Sequence, residues 1–128
     1  MLFDKIPEHV LNSEDIVHFS KGLTHFRGVY ASDGLPKRPR YRECGVLNYL
    51  KRNDDSIGHW TGYYKINSLV VYFDPFGLPP PTSVLKYFGT NTHIYYSVDE
   101  IQRLNEYKCG KLVLQFLFHV QDVLNKHL

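Results

Sequence analysis

The sequence has little cysteine and no long apolar run. Its 128 residues include two cysteines, Cys44 and Cys109, which are too few for a disulfide framework. Free thiols of this kind are typical of a reducing compartment. The apolar runs are far shorter than the roughly 20 residues that span a bilayer. The first residues, MLFDKIPEHV, carry charge and proline where a signal peptide would be apolar. We therefore expect a soluble intracellular protein with no membrane partner.

Neither sign of charge dominates the sequence. The formal net charge is +2, which does not indicate nucleic-acid binding by itself. The loop SDGLPKRPRYR holds basic side chains that can contact DNA phosphates weakly, although a solvated loop is the simpler interpretation. They are Lys37, Arg38, Arg40 and Arg42. The seven histidines are scattered, without HExxH or CxxC spacing, so we expect no metal site.

The sequence is rich in apolar and aromatic residues, which make up 43% and 15% of it. This content predicts one packed domain over residues 1–128. Apolar periodicity predicts strands at 45–51, 59–66, 69–74 and 92–98. It predicts helices at 12–23, at 82–88 with Pro81 as the first position, and from Cys109 to Leu128. The expected fold is α+β: a small, mostly antiparallel sheet with a long C-terminal helix packed on it.

The hairpin between two of these strands brings polar residues to one end of the sheet. His59 starts one strand, Asp74 ends the other, and a tight turn at Asn67 and Ser68 joins them. Antiparallel strands of this length place their outer ends side by side. Asp74 can then orient the imidazole of His59 as a catalytic base. An Asx turn before proline is the other interpretation of Asp74.

Cys109 also has two interpretations. The run QRLNEYKCG leads into the apolar helix, so Cys109 is either a small buried residue or a nucleophile activated by the helix amino end. Gly110 would let a substrate backbone approach closely. Gln102, with Asn105 as a substitute, is a candidate donor to an oxyanion. Cys44 is expected to be a buried structural thiol.

Three motifs resemble one protein family. They are GHW at 58–60, VYFDPFGLPPP at 71–81, and Gln102 followed by Cys-Gly at 109–110. In this order they resemble the adenovirus-type cysteine proteases (adenain) of the SUMO-protease superfamily, above all the short members from virophages and polinton-like elements. The segment HFRGVYASDGLP, 25–36, resembles the loop that leads into the fold of those members. The resemblance covers roughly residues 25–118.

The resemblance implies a role for each candidate residue. Cys109 would be the nucleophile, with His59 as its base and Asp74 as the orienting acid. Gln102 would stabilise the oxyanion, helped by the backbone N–H of Cys109 or Gly110. Members of the family cleave after small residues, often at Gly-Gly or Gly-X motifs, in viral capsid and core precursors. This implies a maturation protease in the host-cell cytoplasm, at the viral factory, and in the virion.

The resemblance leaves activation and two other functions open. Trp60 would pack beside the catalytic histidine. No bound cofactor is expected, although a peptide or DNA acts as an activator in adenoviruses. The same site would also suit a protease that removes SUMO or a ubiquitin-like modifier after a terminal Gly-Gly. A catalytically silent binding module would keep the fold without the chemistry.

Overall fold

The structure is a computed structural model that describes Ile6 and residues 11–48, 59–98 and 109–127. Within these ranges, short helices and strands precede one long helix, so the architecture is α+β. The elements are α1 (Ser13–Phe19), β1 (Phe26–Ala31), β2 (Arg42–Asn48), β3 (Trp60–Ile66), β4 (Leu69–Phe73), α2 (Thr82–Phe88), β5 (His93–Tyr96) and α3 (Cys109–His127).

The strands form one sheet in the order β1-β2-β3-β4-β5. β3 is antiparallel to both β2 and β4, whereas β1 is parallel to β2 and β5 is parallel to β4. The prediction of a mostly antiparallel sheet is therefore wrong, and the sheet is mixed. Parallel neighbours need a connection that returns along the sheet. Residues 32–41 and the segment that contains α2 provide these two returns.

β1 is a strand that the sequence pattern does not reveal. Residues 25–36 were interpreted as a loop, but Phe26–Ala31 pairs with β2. All six residues of β1 are half-buried. The alternation of buried and exposed positions that predicts a strand is therefore missing here.

β2 begins at Arg42, inside the segment predicted to be a loop, and not at residue 45. The charged residues Arg42 and Glu43 at the start of this strand favour a loop in the sequence, but in the structure the Glu43 charge has partners. Glu43 is fully buried. Its carboxylate accepts hydrogen bonds from side chains on β1, β3 and α2, which are Arg27, Tyr63 and Tyr87. A buried carboxylate is tolerated when it is paired in this way.

The start of α1 agrees with the prediction, whereas its end and the start of α2 do not. Asn12 caps α1, accepting a hydrogen bond from the Asp15 N–H at 2.8 Å while its own N–H donates to the Asp15 carboxylate. This capping box fixes the start of the helix. The helix ends at Phe19, earlier than predicted. Pro81 is the residue before α2 and not its first helical position.

Helices cover both faces of the sheet. α3 packs on one face, in a core that includes Trp60, Tyr64, Val113 and Leu117. The other face carries a second core, in which Tyr63 and Tyr72 of the strands pack with Val84 and Phe88 of α2. Because side chains alternate along a strand, Tyr63 and Tyr64 belong to different cores. The two strands that His59 and Asp74 flank, β3 and β4, are therefore packed on both faces.

Candidate active site

His59 and Asp74 meet at one end of the β3–β4 hairpin. His59 directly precedes β3 and Asp74 directly follows β4, and the strands pair in the register Gly62 with Phe73. The distance from His59 Nε2 to Asp74 Oδ1 is 2.6 Å, and these side chains are 12% and 0% exposed. The predicted meeting of the two residues is confirmed. Their role in catalysis stays a prediction.

A turn fixes the orientation of the Asp74 carboxylate. Oδ1 also accepts the N–H of Phe76 at 2.8 Å, and the Asp74 carbonyl accepts the N–H of Gly77 at 2.9 Å. Gly77 has φ 73°, in the left-handed region that glycine adopts readily. The Asx turn that was an alternative interpretation of Asp74 is therefore present. It aims the carboxylate at His59, so the two interpretations agree.

Cys109 lies at the first position of α3, next to the same end of the hairpin. The backbone N–H of Trp60 donates to Cys109 Sγ at 3.5 Å. Gly62 explains how α3 comes so close to β3, because a Cβ at this glycine would lie 2.5 Å from Val113 Cγ1. The predicted convergence of the helix start and the hairpin end is confirmed.

The surroundings of Cys109 favour the thiolate. Burial by itself raises the pKa of the thiol. A hydrogen bond with His59 and the backbone N–H groups of Trp60 and Gly110 act in the opposite direction. The net effect is a pKa below the ordinary value of 9.0. The position of Cys109 at the amino end of α3 favours a negative charge further.

The surroundings of His59 favour the imidazolium. Burial lowers its pKa, but hydrogen bonds with Asp74 and with Cys109 outweigh burial and raise the pKa to about 9. Nε2 is bonded to Asp74, so an interaction of the ring with the thiol falls to the other nitrogen, Nδ1. Opposite pKa shifts on neighbouring groups are typical of a thiolate–imidazolium pair.

Trp60 and Gly110 have clear packing roles. The Trp60 side chain is buried, and its indole N–H donates to the Leu11 carbonyl at 2.8 Å. A Cβ on Gly110 would lie 3.0 Å from Leu11 Cδ1 and 3.2 Å from Ile16 Cδ1. The segment before β1 therefore packs against the first turn of α3. Close approach of a substrate at Gly110 stays a prediction.

Phe76 is a residue of the site that sequence reasoning did not assign. Its ring is stacked on the His59 imidazole, with centroids 4.3 Å apart and planes 24° apart. The residue lies within the quoted motif VYFDPFGLPPP. Its position two residues after Asp74 is a signal for the turn, because an Asx turn bonds the N–H of that residue to the acid, but it does not indicate the stack.

The predicted oxyanion donors divide into two groups. Gln102 and its substitute Asn105 lie outside the described residues. The backbone N–H groups of Cys109 and Gly110 belong to the first residues of α3, and the Gly110 N–H interacts with the Cys109 thiol. The role of these N–H groups as oxyanion donors stays a prediction.

The remaining predicted features lie away from this site. Cys44 is buried and free, its Sγ lies 3.8 Å from the Thr24 carbonyl, and burial raises the pKa of its thiol to about 12. This inert thiol agrees with the structural role predicted for it. In the basic loop, Arg42 is half-buried and its guanidinium donates to Tyr64 Oη at 2.9 Å. The other basic residues of that loop are exposed, and they are Lys37, Arg38 and Arg40.

The described residues contain no group of three or more His, Cys, Asp or Glu side chains that could hold a metal ion. None of the helices in these ranges combines the length and the hydropathy that crossing a bilayer requires.

Sequence comparisons with protein families and curated proteins give no relative. A scan against protein-family models finds no match to the chain. A search of curated proteins finds no significant match either. The chemistry of the site is therefore inferred from its own residues.

Proposed function

We propose that this protein is a thiol endopeptidase of the adenain type, with Cys109 as its nucleophile. The observation that supports the proposal is the convergence of three side chains from different parts of the chain. Cys109 Sγ accepts the N–H of Trp60, the residue next to His59, at 3.5 Å. Cys109 and His59 shift each other's pKa towards the charged forms, and His59 contacts Asp74 at 2.6 Å. A nucleophile, a base and a group that orients the base are the constellation that covalent hydrolysis of amides needs.

The first half of the reaction uses the thiolate. Cys109 Sγ attacks the carbonyl carbon of the scissile peptide, and a C–S bond forms as the carbonyl oxygen becomes an oxyanion. The N–H groups at the start of α3 would stabilise this charge. The imidazolium of His59 then donates its proton to the amide nitrogen. The C–N bond breaks, the amine leaves, and an acyl-enzyme remains.

The second half restores the thiol. A water molecule gives its proton to the neutral His59 imidazole as its oxygen attacks the thioester carbon. The C–S bond breaks, the acid product leaves, and the thiolate–imidazolium pair forms again. Asp74 keeps the ring oriented through both halves and stabilises its positive charge.

The substrate class comes from the resemblance. It consists of peptide bonds after small residues, at Gly-Gly or Gly-X motifs, in viral capsid and core precursors. A maturation protease of this kind would act in the host cytoplasm and in the virion. A weak contact with DNA would use the exposed basic residues of the loop before β2, which are Lys37, Arg38 and Arg40.

A cleavage assay with a matched pair of cysteine variants tests the proposal. The protein is incubated with a library of Gly-Gly and Gly-X peptides, and products are identified by mass spectrometry. We expect cleavage by the native chain and by Cys44→Ala, and none by Cys109→Ala. Equal cleavage by Cys109→Ala would refute the mechanism. SUMO and ubiquitin conjugates form a second set of substrates, and cleavage of these alone would assign the site to deconjugation.

A further inference from the structure

An aromatic ring covers the imidazole of His59. Phe76 lies nearly parallel to it, with ring centroids 4.3 Å apart and an interplanar angle of 24°. Phe76 itself is half-buried. The stacked geometry places the π face of the benzene ring against the π face of the imidazole. A protonated imidazole in this position is attracted to the negative face of the aromatic ring.

The position of the Phe76 ring is coupled to the Asp74 carboxylate. One oxygen, Asp74 Oδ1, contacts His59 Nε2 at 2.6 Å and accepts the Phe76 N–H at 2.8 Å. The next residue, Gly77, closes the turn by donating its N–H to the Asp74 carbonyl at 2.9 Å. The acid and the ring therefore approach the imidazole from one turn, the acid at Nε2 and Phe76 across the face.

We propose that Phe76 is a positioning residue, whose ring holds the His59 imidazole in place and stabilises its protonated form. The inference rests on the proposed function, since it concerns the thiolate–imidazolium pair of that site. The titratable groups that act on His59 are Asp74, from the end of β4, and Cys109, from the start of α3. Phe76 adds an uncharged contribution to the same equilibrium.

Phe76 affects the loss of the proton from the His59 imidazolium but not the ionisation of the Cys109 thiol. When the Cys109 thiol ionises beside an imidazolium, the imidazole is protonated before and after the step. The attraction to the Phe76 ring therefore cancels. When the imidazolium later loses its proton, the attraction is lost. Phe76 thus raises the pKa of His59 and leaves the ionisation of Cys109 nearly unchanged.

The test is a titration of the His59 imidazole by NMR in the full chain, assigned with a His59→Gln variant. In Phe76→Leu, which keeps an apolar side chain, we expect the pKa of His59 to fall by about half a unit to one and a half units. Phe76→Tyr should restore most of the native value because it restores the aromatic face. In a cleavage assay, the alkaline limb of the pH profile should move by the same amount, while the acidic limb stays in place.

A second aromatic stack in the protein provides the control. Phe73 and Phe116 are stacked with centroids 4.9 Å apart and planes 18° apart. Phe116→Leu should lower the unfolding temperature without moving the pKa of His59. An unchanged pKa in folded Phe76→Leu, or the same shift in Phe116→Leu, would overturn the inference.

The titration also separates the inference from the proposed function. If native His59 titrates high and Cys109 reacts as a thiolate near neutral pH, but Phe76→Leu changes neither, only the role of Phe76 is wrong. If native Cys109 is unreactive below pH 8, the ion pair is absent and the proposed function fails with it.

Discussion

Replacing Asp74 with asparagine isolates the charge that holds the His59 imidazolium. The side chain keeps its shape, and its amide oxygen can still accept the Phe76 N–H that Asp74 Oδ1 accepts at 2.8 Å. What is lost is the negative charge beside Nε2. The pKa of His59 is about 9 against an ordinary value of 6.5, a difference that corresponds to roughly 3 kcal/mol.

The direction of the effect follows from what remains around His59 in Asp74→Asn. Burial, the largest single influence on His59, lowers its pKa, and Asp74 provides the strongest opposing hydrogen bond. Without the carboxylate charge, we expect the pKa of His59 to fall to about its ordinary value or below it. With that pKa, the imidazole is mostly neutral at pH 8. Cys109 then loses its cationic partner, and its pKa rises towards the ordinary 9.0.

Alkylation of Cys109 by iodoacetamide measures this change without a substrate. Followed by intact mass between pH 5 and 10, the native chain should react well below pH 9, and Asp74→Asn should react at least about tenfold more slowly at pH 7. Asp122→Asn, an exposed change on α3, should behave as the native chain. Superimposed profiles for native and Asp74→Asn would refute the reasoning.

Folding of Asp74→Asn has to be measured alongside its reactivity. Asp74 is 2% exposed, and its Oδ2 has no hydrogen-bond partner among the described residues. The asparagine amide would place a buried donor there, which costs about 1–3 kcal/mol when it stays unsatisfied. The thermal unfolding curve of Asp74→Asn is therefore measured first, and the alkylation rates are compared at a temperature where this variant is folded.

Two further substitutions test what holds the site together. Gly62→Ala places a Cβ 2.5 Å from Val113 Cγ1, so we expect urea unfolding to show a loss of about 1–3 kcal/mol from overpacking between β3 and α3. Glu43→Ala leaves Arg27, whose guanidinium lies 3.0 Å from the carboxylate, without its charge partner. The expected loss of stability is roughly 3 kcal/mol, with the pH profile of Cys109 alkylation unchanged, because the side-chain partners of Glu43 belong to β1, β3 and α2 and not to α3. No loss in either variant would contradict the packing described for it.

The hairpin could be predicted because its signals are local. Apolar and aromatic residues fill both strands, and Asn67 adopts φ 55° in the tight turn that the sequence indicated. Register then follows from the turn, and with it the meeting of His59 and Asp74. The long helix α3 could be predicted for the same reason, because its apolar residues recur at helical spacing.

The mixed sheet and the stack on His59 could not be predicted in this way. β1 pairs with β2 only after a return of residues 32–41, and its half-buried residues show no alternation. The charge of Glu43 at the start of β2 predicts a loop, because its buried partners on other elements cannot be recognised in the sequence. The turn at Asp74 brings the Phe76 ring over His59, and the presence of a phenylalanine in the sequence does not by itself indicate that position.

Contacts that fix the fold also set the distance on which the chemistry depends. Cys109 is held from one side by Gly62, whose missing Cβ lets α3 approach β3. From the other side, Trp60 binds the Leu11 carbonyl, and Leu11 occupies the space beside Gly110. A hydrogen bond weakens steeply as its geometry departs from the optimum, and the thiolate depends on such bonds. A substitution at Gly62 or Gly110 that displaces the first turn of α3 would therefore raise the pKa of Cys109 and also lower the stability of the fold. Neither glycine is itself the nucleophile, the base or the orienting acid.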